Sequence, residues 1–131
     1  MAELSEKVRK LFTEANYLYV ATVNSDGSPQ VTPVWTDLED GRIRFNTAIG
    51  RAKERNLRRD PRVGLSIAHR ENPWDKVDIR GRVVEFVEGD EADRHIDSLS
   101  KKYIDQEPYP FRQAGERRVM VRVEAERVYE T

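Results

Sequence analysis

The chain has 131 residues, enough for one folding unit and too few for two, and its 23 basic against 24 acidic side chains create no global pull toward nucleic acid or an anionic membrane. Cysteine is absent, which excludes disulfides, thiolate catalysis and cysteine metal sites. With 37% hydrophobic and 36% charged residues there is little apolar material per residue, so a partner subunit or ligand is expected to complete the burial.

Leu4, Val8, Leu11, Phe12 and Ala15 recur at helical spacing, predicting an amphipathic helix over the first fifteen residues. Tyr17 to Asn24 is aromatic and β-branched, and Ser25-Asp26-Gly27-Ser28 is a turn leading to a second strand over Pro29 to Leu38. Pro33 lacks a ladder donor, which puts this strand at an edge or a bulge. After the Glu39-Asp40-Gly41 turn a third strand covers Arg42 to Asn46, and Arg51 to Arg59, with no β-branched residue, forms a short helix stopped by Asp60-Pro61. Arg62 to Ala68 is a strand, Glu71 to Asp75 a polar loop, and Lys76 to Glu88 a long strand with a bulge near Gly81. Ala92, Ile96, Leu99 and Tyr103 mark a second amphipathic helix with Asp90 as N-cap, and a last strand starts near Val119. Six strands in hairpin order with short helices predict one mainly β domain over residues 1–131, a closed or split antiparallel barrel.

The densest chemical signal is Arg51, Lys53, Arg55, Arg58, Arg59 and Arg62, opposed only by Glu54 and Asp60. Such a run is commonly a solvated helix face. Here Thr47 and Gly50 immediately precede the helix, whose unpaired N–H groups and positive end favour an anion. Arg51 and Lys53 lie in its first turn and can converge on a phosphate although they are roughly 200° apart around the axis. Asn56 shares a face with Lys53 and can assist it, whereas Arg55, Arg58 and Arg59 are expected in solvent or against a longer anionic ligand. Trp74 is either an anchor for its loop or an aromatic lid at a subunit contact, and Trp35 is expected in the barrel wall. His69 and His95 lack ligand spacing, no nucleophile elbow surrounds Ser98 or Ser100, and there is no Walker or dinucleotide glycine pattern.

The run Phe45-Asn46-Thr47, Arg51-Ala52-Lys53 and Arg55 to Val63 resembles the pyridoxamine 5'-phosphate oxidase-like split β-barrel superfamily, in particular its deazaflavin (coenzyme F420)-dependent reductase branch. The likeness extends from Ala21-Thr22-Val23 and the Asp26-Gly27-Ser28-Pro29 hairpin to Arg127-Val128-Tyr129. It implies a homodimeric oxidoreductase that passes hydride from reduced F420 to an unsaturated small molecule. It further implies that Thr47, Arg51, Lys53 and Asn56, beside Asn46, contact the cofactor phosphate, that Thr32, Pro33, Val34 and Trp35 lie along the ring system, and that Trp74 comes from the neighbouring subunit. Gln30 to Trp35 contains no basic residue and the sequence ends at Thr131, which argues against vitamin B6 oxidation. FMN is the alternative cofactor, in a reductase, oxidase or flavin carrier, since both cofactors end in phosphate. A nucleic-acid or other anionic-ligand barrel is a third reading, disfavoured because the cations sit on a helix and aromatics are only 8%. No run approaches the roughly 18 apolar residues of a membrane span, and the N-terminus lacks the apolar run of a signal peptide, so a cytoplasmic protein with no membrane or nucleic-acid partner is expected.

Overall fold

The computed structural model describes residues 1–130. In chain order the elements are α1 (Glu6–Thr13), β1 (Leu18–Val23), β2 (Pro29–Val34), β3 (Thr36–Glu39), β4 (Arg42–Ala48), α2 (Ala52–Arg59), β5 (Arg62–His69), β6 (Asn72–Glu88), α3 (Asp90–Ile104) and β7 (Arg118–Glu130). The strands form one antiparallel sheet in the order β2-β1-β5-β6-β7-β4-β3, curled into a split barrel.

The predicted strand Pro29 to Leu38 is two strands, so there are seven rather than six. β2 pairs with β1 at one edge of the sheet and β3 pairs with β4 at the other. Consecutive segments thus form both edges, joined through Trp35 alone. Trp35 stacks on Tyr103 of α3 at 5.4 Å, and the next residue is held by Thr36 N–H donating to Tyr103 Oη at 3.1 Å and Thr36 Oγ1 donating to Arg44 O at 2.7 Å. Local alternation cannot reveal such a crossing, because both halves keep extended backbone. β2 is an edge strand, as Pro33 requires.

The barrel interior is built by alternation. Leu18 and Val20 of β1, Ile43 and Phe45 of β4, Val63, Leu65 and Ile67 of β5, Val77 and Ile79 of β6, and Val121 and Val123 of β7 form one core with Leu57 of α2. α1 contributes Val8, Leu11 and Phe12, with Ser5 as the N-cap accepting the Val8 N–H. Phe12 and Phe45 are fully buried, each contributing about 1.5–3 kcal/mol of hydrophobic stabilisation. The bulge near Gly81 is present, with register shifts in the β6–β7 ladder on either side of it. A Cβ at Gly81 would meet Val123 Cγ1 at 2.7 Å and Glu124 O at 3.0 Å, so the crossing strands need a glycine there.

Two boundaries also differ from expectation. Asn72, Pro73 and Trp74 belong to the start of β6 rather than to a loop. Gly89, not Asp90, caps α3, with φ of 77° and no side-chain cap. Asp90, Glu91 and Asp93 supply the negative first turn that complements the helix dipole instead.

Candidate functional site

β4 delivers the chain to α2, and Gly50, with φ of 96°, makes the turn between them. Arg51 is the N-cap and has no capping side-chain bond, while Glu54 reaches back to accept the Gly50 N–H at 2.8 Å. A cleft of about 240 Å³ opens beside this turn, lined by Asn46, Arg51, Lys53 and Arg118 on its polar side and by Pro33, Val34, Trp35 and Tyr109 on its apolar side. Tyr17, Ile96 and Phe111 complete the lining.

The three cations differ in their partners. Glu116 accepts from Arg118 Nη1 at 2.7 Å and from Arg51 Nη2 at 3.3 Å, so two guanidinium groups share one carboxylate. Burial opposes the ionisation of Glu116, but the Gln113 N–H and these arginines hold it below the usual carboxylate range. Lys53, only 7% exposed, has no hydrogen bond or ion pair among the described residues. Burial, followed by repulsion from Arg51 and Arg118, pushes its ammonium below the ordinary lysine value. A nearly buried, unpaired ammonium beside two arginines is costly unless an anion completes it.

The apolar wall is an aromatic array. Trp35 lies edge-on to Tyr109 at 5.9 Å, Tyr109 meets Phe111 at 5.8 Å, and the Arg118 guanidinium sits 5.3 Å from the centre of the Tyr109 ring. Tyr109 and Phe111 come from the segment between α3 and β7, pinned to α3 by the Tyr109 N–H donating to Asp97 Oδ1 at 2.8 Å and by Arg112 at 3.3 Å from Asp93. A planar ring with an acidic tail matches this pairing of surfaces.

Of the ten residues singled out in the sequence, Pro33, Val34, Trp35, Asn46, Arg51 and Lys53 come together around the cleft. Thr32 and Thr47 do not line it; the hydroxyl of each is buried without a hydrogen-bond partner. Asn46 and Thr47 lie on opposite faces of β4, Thr47 on the side of Phe45 and Asn46 under α3. Asn56 is turned away from Lys53. Its Nδ2 donates to Thr22 Oγ1 and Asn24 Oδ1, both at 2.9 Å, tying α2 to the C-terminal end of β1 and the turn after it. Trp74 is 77% exposed and outside the cleft.

Arg55, Arg58 and Arg59 are exposed but engaged. Arg55 bonds Gly50 O, Arg58 pairs with Glu54 at 2.6 Å and with Glu88 at 3.4 Å, and Arg59 bonds Val23 O. Arg118 and Glu116 were not found from the sequence. The pair Arg117-Arg118 just before the last strand was their only local signal, and nothing local links it to a helix some sixty positions earlier.

Fold and cleft together define a split-barrel domain with a cationic pocket under an aromatic wall. The chain belongs to the pyridoxamine 5'-phosphate oxidase family, whose family model matches residues 4–131, within a superfamily of flavin-type oxidoreductases. Among solved structures it is similar to an F420 reductase, with 26% identity and a TM-score of 0.85 over 98% of this chain and 100% of that one. It is also similar to a conserved hypothetical protein from Mycobacterium tuberculosis, with 30% identity and a TM-score of 0.75 over 95% of this chain and 82% of that one. A putative pyridoxamine 5'-phosphate oxidase from Lactobacillus delbrueckii shares the fold at 23% identity and a TM-score of 0.70, over 97% of this chain and 93% of that one. No curated protein matches the sequence. No helix among the described residues is long and apolar enough to cross a membrane.

Proposed function

We propose that the protein is an oxidoreductase that binds reduced coenzyme F420 and serves hydride transfer to an unsaturated small molecule. The observation that carries this reading is the unpaired Lys53 ammonium between Arg51 and Arg118, at the start of α2 and facing the Trp35–Tyr109 wall. When bound, the cofactor would supply the redox chemistry. Arg51, Lys53 and Arg118 would hold the phosphate, whereas the Thr47 hydroxyl lies on the other face of β4, behind the cleft. Pro33, Val34 and Trp35 would lie along the ring, and Tyr109 would form the facing apolar wall. The F420 reductase among the similar structures supports the same choice of cofactor.

FMN is the second reading, and one observation favours it. Arg55, Arg58 and Arg59, which a longer anionic tail would need, are already held by Gly50 O, by Glu54 and Glu88, and by Val23 O. Reconstitution with F420 and, separately, with FMN, followed by exhaustive dialysis, decides between them through retained absorbance near the cofactor band. Retention of FMN alone overturns the deazaflavin assignment, and retention of neither overturns the site.

The functional unit is a homodimer in this reading. Tyr19 and Val31, 49% and 58% exposed, border one shallow apolar depression over β1, β2 and β5, and Trp74 of β6 is 77% exposed, which supports an apolar subunit contact. Trp74 would then approach the cleft of the partner. Sedimentation equilibrium giving a monomer at micromolar concentration would remove that assignment.

A further inference from the structure

Behind the cleft, between α3 and strands β3 and β4, runs a buried chain of polar groups that ends on Arg118. His95 of α3 is 4% exposed and places Nε2 at 3.1 Å from Asp37 Oδ1 and Nδ1 at 3.2 Å from Asn46 Nδ2. Asn46 Nδ2 also donates to Ala92 O at 3.0 Å, and Asn46 Oδ1 accepts from Arg118 Nε at 2.9 Å. Arg118 Nη1 is taken by Glu116, and no partner among the described residues holds Nη2.

The protons in this chain have one self-consistent arrangement. Burial works against ionisation of Asp37, but His95 and Arg44 hold its carboxyl below the usual range, and Arg44 donates to its two oxygens at 2.8 and 2.7 Å. Asp37 is therefore an acceptor, and His95 Nε2 carries the hydrogen. His95 Nδ1 is then a lone pair and accepts one Asn46 amide hydrogen while Ala92 O accepts the other. With its nitrogen held from two sides, Asn46 turns its oxygen to Arg118. The flipped amide would face Ala92 O with its own carbonyl and confront the Arg118 Nε–H with another donor.

We propose that His95 is a positioning residue for the anion site. As the neutral Nε2–H tautomer seated on Asp37, it fixes the Asn46 amide so that Arg118 is locked through Nε and Nη1 and keeps Nη2 for the ligand. This rests on the reading of the cleft as an anion site, and it extends the site by a histidine that does not line it. Buried hydrogen-bond chains of this kind orient a charged group at little cost only when every member is satisfied.

Two substitutions separate the two ring nitrogens. His95→Asn retains an acceptor where Nδ1 stands, and His95→Gln retains a donor where Nε2 stands while removing the acceptor for Asn46. Long-range proton–nitrogen correlation spectra of the wild-type protein should report the Nε2–H tautomer, with Arg118 Nε–H protected from exchange. His95→Asn should preserve that protection and bind F420 and FMN as the wild type does. His95→Gln should speed Arg118 Nε–H exchange and weaken cofactor binding, each by about tenfold, the effect of losing one hydrogen bond to a charged group. A wild-type Nδ1–H or doubly protonated ring overturns the proposal without any variant. So does a His95→Gln protein whose Arg118 exchange and affinity equal the wild type's. If the spectra behave as expected but the wild type binds neither cofactor, the network stands as structure, and the anion site falls together with the positioning role.

Discussion

The two ends of α2 carry the same kind of side chain to opposite purposes. At its start, Arg51 shares a carboxylate with Arg118, and Lys53 has no partner. From its middle to its end, Arg55, Arg58 and Arg59 are bound to carbonyls and carboxylates of this chain, and Arg58 also covers the Phe86 ring at 4.1 Å. In eight residues the helix thus separates cations spent on the fold from a cation still available to a ligand. Exposure is a poor guide to which is which: the engaged arginines are exposed and the available lysine is buried. An unmet charge marks a binding site when keeping it costs stability.

The largest effect should come from Lys53→Met. Cofactor affinity, measured by fluorescence titration, should fall at least tenfold, the loss expected for ~1.5–3 kcal/mol of charge-assisted hydrogen bonding. The same change should raise the thermal midpoint of the ligand-free protein, by about 1 kcal/mol in stability, since it removes a buried unpaired charge. A variant that binds weakly but is also less stable would break the contrast. The pH dependence follows from the same group. Its pKa is depressed in the folded protein, so between the folded and unfolded values the unfolded chain holds more protons, and stability rises with pH through that window. A bound anion restores the proton, so affinity should fall as pH rises through the lowered pKa. Wild type should show both slopes; Lys53→Met should lose the affinity slope and part of the stability slope, the remainder coming from Lys102, whose ammonium burial pushes down to about 8.

Asn56→Ala should come next and act on stability. The bonds to Thr22 of β1, to Asn24 just beyond it and from Arg59 are lost, only the first of them buried, costing about 1–2 kcal/mol in chemical denaturation, while cofactor affinity should change by less than about threefold. A large loss of affinity with intact stability would return Asn56 to the phosphate. Thr47→Val should leave stability unchanged or slightly higher, because the buried hydroxyl has no partner, and should change affinity by less than about threefold, because that hydroxyl faces away from the cleft; a larger loss in titration would return Thr47 to the phosphate. Arg58→Ala should have the smallest effect on the site, with no change in affinity, and should cost about 1 kcal/mol in stability because Glu54, its partner one helical turn away, is buried.

Much of the fold was legible locally. Aromatic and β-branched composition located β1, period-two alternation located β7, the glycine and aspartate clusters located the turns that bound β2 and β4, and the basic run with Thr47 and Gly50 before it located the helix start at the cleft. Locally legible signals failed where two partners competed for one pattern. The segment Pro29 to Leu38 has no turn signal that divides it, yet β1 takes its first half and β4 its second. Asn56 shares a helix face with Lys53, yet Thr22 and Asn24 claim its amide.

The basic segment illustrates the division. Sequence alone determined that cations gather at the N-terminal turn of a short helix after a strand, because helix propensity, the glycine turn and the Asp60-Pro61 stop act over a few neighbouring residues. Tertiary structure alone decided which of those cations remain free. Glu88, Val23 and Glu116 reach the helix from three other parts of the chain, and His95 acts through Asn46 on Arg118 across three elements. Hydrogen bonds and ion pairs are satisfied by whatever the fold brings within about 3 Å, and that proximity is set by strand order rather than by position along the chain.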